Sequence, residues 1–206
     1  MVVADRSRRA DGRPRGTARR EALLDAVIRI VAESGVEAVT HRRVAQEAEL
    51  PLASTTYWFA SKDAMLTAAL ELAAERDIAR LQCCAADPAV GADARHEIPD
   101  AILALIFDPL SDELRHSRGS VLGAYALWLE AARRPALRER ARTWTEAYVS
   151  ATAALLERGR SSSAAKDARV LIGAVDGLVM QQLIEGERAS IRDDLRRLID
   201  SMLATP

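Results

Sequence analysis

Three basic side chains follow a threonine at one point of the chain: His41, Arg42 and Arg43 after Thr40. Threonine makes a good helix N-cap, because its hydroxyl accepts from a free backbone N–H of the first turn. That end of a helix is the positive end of its dipole, so stability alone prefers acids there, and a misplaced cation costs about 0.3–1 kcal/mol. An external phosphate reverses the sign, since it meets both the free N–H groups and the cations. Further along stand Ala53, Ser54, Thr56, Tyr57 and Trp58, with Lys62 just beyond. Hydroxyls bond phosphates or base edges, rings cover sugars and methyls, and an alanine can touch a thymine methyl. Lys62 would hold a phosphate. The chemistry is that of a duplex DNA groove. Arginines exposed by chance, and a Trp58 packed on the following helix, would leave the same string of residues.

Presenting these side chains requires short helices at a tight turn. Leu23, Val27, Ile30 and Val31 form an apolar stripe on a first helix that starts near Thr17 and is stopped by Gly35. Thr40 to Ala48 is a second helix, with Val44, Ala45 and Ala48 inward. A break at Glu49-Leu50 leads to a third, Pro51 to Phe59, with Pro51 in its first turn and Leu52, Thr55 and Phe59 on its inner face. Ser61 caps a fourth helix, with Asp63 in its first turn and Met65, Leu66, Ala69, Leu70, Leu72 and Ala73 as its apolar positions. This is the layout of a helix-turn-helix, whose second helix enters the major groove while the first crosses the backbone. Plain helical packing produces the same spacing.

The rest of the chain is also helical in pattern. Asp87 to Pro99 reads as a loop, followed by an apolar segment Ala101 to Phe107 and a break near Asp108-Pro109. Helices are expected over Gly119 to Ala132, Pro135 to Arg158, Ala164 to Glu185 and Ser190 to Leu203, with a turn at 159–163. Hydrophobic residues are 49% and aromatics 4%, a composition that supports a core and favours helix over sheet. The fold class is therefore all-α: an N-terminal three-helix helix-turn-helix domain followed by a larger helical bundle. The expected division is a flexible basic arm (1–16), the helix-turn-helix domain (17–62) and the bundle (63–206). Residues 1–20 hold seven arginines against Asp5 and Asp11, while the whole chain carries a net charge of -1. A basic arm on an acidic body fits that asymmetry, and so does a solvated tail without a partner.

From Arg19 to Leu70 the chain resembles the DNA-binding domain of TetR/AcrR-type transcriptional regulators. The family's run resembles G-T-L-Y-Y-H-F-x-S-K-E, and Ala53 to Asp63 reads ASTTYWFASKD, keeping Tyr57, Phe59, Ser61 and Lys62. Three positions depart from the pattern. Glu49 replaces the turn glycine, at a place where a positive φ is expected, Ala53 replaces the glycine facing DNA, and Trp58 replaces a histidine. The resemblance implies a homodimer on palindromic or near-palindromic operator DNA, with half-sites about 34–36 Å apart or a multiple of that. It also implies a C-terminal domain that dimerises and binds a small-molecule effector, making the protein a ligand-released repressor. An activator, or a regulator without a ligand, would have the same fold.

Small residues Gly173, Ala174 and Gly177 lie among Val170, Leu171, Val175, Leu178 and Val179, and with Tyr148, Ala151, Ala154 and Leu155 could form a four-helix interface between subunits. Packing within one subunit accounts for them equally. Phe107, Tyr125, Trp128, Leu129, Trp144, Tyr148 and Met180 are the candidates to line a pocket for a mainly apolar ligand; any one of them could be ordinary core. Asp176 could be a pocket acid, an interface acid or an exposed one. Cys83-Cys84 could sense oxidants, though a reactive thiol needs a depressed pKa.

Catalysis finds no support. Nucleophile elbow, P-loop and glycine-rich dinucleotide turn are missing, and His41, His96 and His116 are too scattered for a metal, so no cofactor is expected. The charged first residues lack an apolar run and no uncharged stretch approaches the roughly 20 residues of a membrane span, so the expected location is cytoplasmic, away from the membrane.

Overall fold

The computed structural model describes residues 15–85, 97–159, 161–186 and 190–204, and every regular element among them is helical. The first helix, α1 (Arg15–Ser34), buries Leu23, Leu24, Val27, Ile30 and Val31. Gly35, at φ 76°, ends it and opens a 3-10 turn, Val36–Ala38. Thr40 then caps α2 (His41–Glu47), its Oγ1 accepting from the Arg43 N–H at 3.2 Å. The turn after α2 puts Glu49 at φ 53°, the left-handed region that costs a side-chain-bearing residue about 1–2 kcal/mol. Leu50 N–H closes this turn onto Ala45 O at 2.9 Å.

Next come α3 (Leu52–Trp58) and α4 (Lys62–Ala85). Pro51 stands one residue outside the expected first turn, as the N-cap of α3. Thr55 and Phe59 are buried as expected, but Leu52 is 51% exposed. Pro51, Leu52 and Ala53 are all exposed, so the first turn of α3 projects from the body and only its second turn reaches the core. Ser61 caps α4, its Oγ accepting from Ala64 N–H at 3.1 Å.

The body comprises α5 (Ile98–Ile106), α6 (Asp108–Glu130), α7 (Pro135–Arg158), α8 (Ala164–Glu185) and α9 (Ile191–Ala204). Three expected boundaries move. Helix α5 begins at Ile98 rather than Ala101, taking Pro99 from the expected loop into its first turn. Helix α6 begins at Asp108 rather than Gly119, because Pro109 occupies its first turn, where a proline is tolerated; the irregularity sits instead at Ser117 (φ -146°, ψ 46°). Helix α1 takes Arg15 and Gly16 from the expected arm; the arm's remaining residues, and most of the expected 87–99 loop, lie outside the described residues.

Two cores result. One gathers α1 to α4 with Leu127, Ala131, Leu137 and Ala141 from the α6–α7 region; the other gathers α5 to α9 with Leu81. The N-terminal helices therefore share their hydrophobic core with the body. They meet closely at Gly123 of α6, where a Cβ would fall 2.5 Å from the Ile28 carbonyl oxygen of α1. Only glycine lets the two backbones meet so closely.

Candidate functional site

The outer face of α3 carries what the sequence placed there. Ala53 and Thr56 are exposed and Ser54 is half-buried. Tyr57 is 78% and Trp58 37% exposed, their rings packed edge to face at 5.0 Å. Trp58 also leans toward the start of α1, where a Cβ on Gly16 would stand 3.7 Å from its ring. The tryptophan thus lies beside α1 and keeps an exposed face.

The basic cluster beside α2 is less uniform. Thr40 and Arg42 are exposed. Arg43 is half-buried and its guanidinium donates to Ser34 Oγ at 2.7 Å. His41 is half-buried, and its Nδ1 has no hydrogen-bond partner among the described residues. Lys62 Nζ donates to Glu37 Oε2 at 2.8 Å. This contact holds the Glu37 carboxyl below the usual carboxylate range, through the hydrogen bond first and the charge second. Arg134, at the α6–α7 corner, ion-pairs with Asp63 and Glu130 and reaches Glu37 at 3.4 Å.

A cavity of about 390 Å³ lies among α1, α4, α6, α7 and α8, with Ile106 of α5 in its wall. That volume is in the range of small-molecule sites. Tyr125, Trp128, Trp144 and Tyr148 line it. Phe107, Leu129 and Met180 stand outside its wall. Phe107 is buried in the core where α5 meets α6, Leu129 is turned toward solvent, one helical step from Trp128, and Met180 lies a turn beyond Asp176. Asp176 proves to be a lining acid.

Sequence reasoning missed the cavity's polar wall: Asp25, Arg29, Arg76, Asp77, Arg80 and Glu113. On single helices these read as a solvated face; only the way the helices pack brings them around one space, where Arg29 and Arg76 remain exposed. Trp144 Nε1 donates to Asp77 at 3.1 Å and Trp128 Nε1 to Thr145 at 3.3 Å. Tyr125 donates its hydroxyl to Asp176 Oδ1 at 2.8 Å. Burial, and then the neighbouring Asp176 charge, push that hydroxyl's pKa well up, so it stays a donor.

On α8, Val170, Gly173, Gly177 and Ile184 face outward, whereas Leu171, Val175 and Val179 are buried in the core. On α7, Tyr148 lines the cavity and Leu155 is buried, leaving Ala154 exposed. Cys83 and Cys84 fall on α4, with side chains outside the described residues. Among the described residues there is no His/Cys/Asp/Glu cluster able to hold a metal, and no helix is long and apolar enough to cross a membrane.

A projecting helix with hydroxyls and rings outward, set behind a capped helix and joined to a helical body with a cavity, defines a helix-turn-helix transcriptional regulator. Residues 97–205 match the family described as tetracyclin repressor-like, C-terminal domain. The chain belongs to the TetR family. It is 31% identical over 193 residues to the HTH-type nicotine-responsive transcriptional repressor HdnoR of Paenarthrobacter nicotinovorans, covering 90% of this chain and 94% of that protein. The multidrug binding protein EbrR, in its complex with ethidium, is 34% identical, with a TM-score of 0.65 over 87% of this chain and 98% of that one. A TetR-family member from Streptomyces coelicolor A3 is also 34% identical, with a TM-score of 0.64 over 87% of this chain and 97% of its own. HdnoR is a transcriptional repressor, and this chain is a DNA-binding transcriptional regulator.

Proposed function

We propose that the protein is a homodimeric repressor whose operator is released when a small molecule fills the cavity. The observation that carries this reading is Arg29. It lines the cavity from α1, and its Nε donates to Glu47 Oε1 at 2.7 Å at the end of α2, the helix that precedes the reading helix. Asp25 and Ile28 of α1 share the same wall. A ligand that displaces this wall moves the head. Ligand and DNA then favour different arrangements, and each weakens the other by the same factor.

In this reading α3 enters the major groove. Ala53, Ser54, Thr56, Tyr57 and Trp58 meet bases and sugars, and Thr40, His41, Arg42, Arg43 and Lys62 flank the phosphates. The dimer forms through the outward face of α8. Val170 is 59% and Ile184 84% exposed, and a Cβ on Gly173 or Gly177 would meet nothing within 4 Å, so packing inside the chain does not require glycine at either place. A second copy approaching closely would require it. A small effector accords with the nicotine response in the name of HdnoR and with the ethidium bound in EbrR.

The test is selection of bound duplexes from a random pool, using the full chain, followed by titration of the selected site. Enrichment of a palindromic or near-palindromic sequence is expected, with half-sites about 34–36 Å apart or a multiple of that. Tyr57→Ala should change the enriched bases while altering fold stability by no more than about 0.5 kcal/mol. A pool that stays random after selection would end the DNA-reading account.

A further inference from the structure

We propose that the cavity is built for an organic cation, a ring-bearing protonated amine whose ammonium group pairs with Asp176. The proposal rests on the cavity being the effector site and adds the charge of the ligand.

The first ground is electrostatic. Four carboxylates (Asp25, Asp77, Glu113 and Asp176) and three arginines line the cavity. Each arginine is already engaged. Arg76 holds Asp25 through both guanidinium nitrogens, Arg80 is shared by Asp77 and Glu113, and Arg29 is turned to Glu47, which is not part of the wall. Arg80 thus faces two acids, and Asp176 faces none of the cations: its partner among the described residues is the neutral Tyr125 hydroxyl. The wall is negative, and Asp176 is its half-buried acid that no arginine pairs.

The second ground is the surface around that carboxylate. Trp128, Trp144, Tyr125 and Tyr148 contribute rings, and Ile28, Val121, Ile172 and Val175 contribute hydrocarbon. The indole N–H groups of Trp128 and Trp144 are spent on Thr145 and Asp77, so what these side chains offer a ligand is ring surface. Rings beside a carboxylate form a cation site, because the ring quadrupole and the fixed charge attract the same partner.

Other ligand charges fit worse. An anion would have to break an existing arginine pair and then lie near Asp176. A neutral molecule would further dehydrate a carboxylate with no counter-charge, or force it to take up a proton. Burial already raises the Asp176 carboxyl, and the Tyr125 hydrogen bond offsets that only in part. A cation supplies the missing compensation and leaves Tyr125 to orient the carboxylate.

The experiment is calorimetric titration of the full chain, without DNA, with three probes sharing one ring system: 2-naphthylmethylamine, 2-naphthalenemethanol and 2-naphthoate. The amine is expected to bind about tenfold or more tighter than the alcohol, with naphthoate weakest. In Asp176→Asn, which keeps an acceptor for Tyr125, the preference for the amine should disappear while alcohol binding persists. Tyr125→Phe should weaken the amine by a smaller factor. Far-UV circular dichroism matching wild type shows that the variants fold. An alcohol that binds wild type as well as the amine, an amine preference that survives Asp176→Asn, or no amine binding at millimolar concentration overturns the proposal. Operator release is measured separately. Asp176-dependent amine binding without release would keep the cation site and remove the ligand-released repressor reading, whereas release by the alcohol or naphthoate alone would do the reverse.

Discussion

Lys62 Nζ lies 2.8 Å from Glu37 Oε2, so the cation at the start of α4 is already paired with a carboxylate when no DNA is present. Glu37 is almost fully exposed while Lys62 is partly shielded, and an exposed pair of this kind is weak and easily exchanged for a phosphate. Lys62→Ala removes a phosphate ligand and leaves Glu37 facing the backbone. Binding to every duplex should weaken, and the salt dependence should become shallower by about one unit. Glu37→Gln should act the opposite way and tighten binding most at low salt. Anisotropy titrations over a range of salt concentrations check both. Unchanged affinity of Lys62→Ala across that range would show that the start of α4 does not touch DNA.

Gly123 sits where α6 crosses α1, and a Cβ there meets a backbone oxygen that cannot turn aside. Gly123→Ala should therefore destabilise the chain by about 1–3 kcal/mol, seen as a lower urea midpoint. Because the same crossing joins the cavity wall to the head, the variant should also respond less to ligand. A gain in stability would place α1 and α6 further apart than described.

On the outer face of α8 the expectation reverses. Gly173→Ala should stabilise an isolated subunit by about 1 kcal/mol through helix propensity, since the new methyl meets nothing within the chain. Between two copies the same methyl would hold the helices apart, and Ile184→Asp would put a charge into the contact. Sedimentation at several concentrations should show both variants dissociating more readily than wild type. Assembly identical to wild type in both would remove this face from the interface.

Burial raises the Asp176 carboxyl above its ordinary value of 3.8, and the hydrogen bond from Tyr125 lowers it only in part. Below that value the carboxyl is neutral in both folded and unfolded chains and costs nothing. As pH climbs, the unfolded chain ionises first, so the penalty for the buried charge grows and is complete once the folded carboxyl has also ionised. Asp176→Asn should therefore stabilise the ligand-free chain at neutral pH, with the gain fading toward about pH 3.5. Urea midpoints of variant and wild type across that interval decide it; a variant less stable at neutral pH than wild type would contradict the assignment of Asp176 as a cavity acid without a counter-charge.

Local patterns carried most of the head and the helix order. The stripe from Leu23 to Val31, the Thr40 and Ser61 caps, and the Glu49 turn are set by neighbours within a few residues, so a linear reading finds them. Tyr57 is legible as a surface residue for the same reason: period alone puts it opposite Thr55 and Phe59, with Trp58 on the flank. Leu52 was misread because helical period gives the face of a residue but not whether anything lies opposite that face.

The cavity required the tertiary structure. Asp25, Asp77, Glu113 and Asp176 are far apart in sequence and come from α1, α4, α6 and α8. Asp25, Asp77 and Glu113 look like solvated acids on their own helices, and Asp176 fits a pocket, an interface or the surface equally. Only the packing of those helices brings the four around one space. The order of the helices, the reading face and the family resemblance came from the sequence by itself, because all three depend on short-range spacing. Which side chains share a wall, and which charge is left without a partner, depends on contacts between helices that no local pattern encodes.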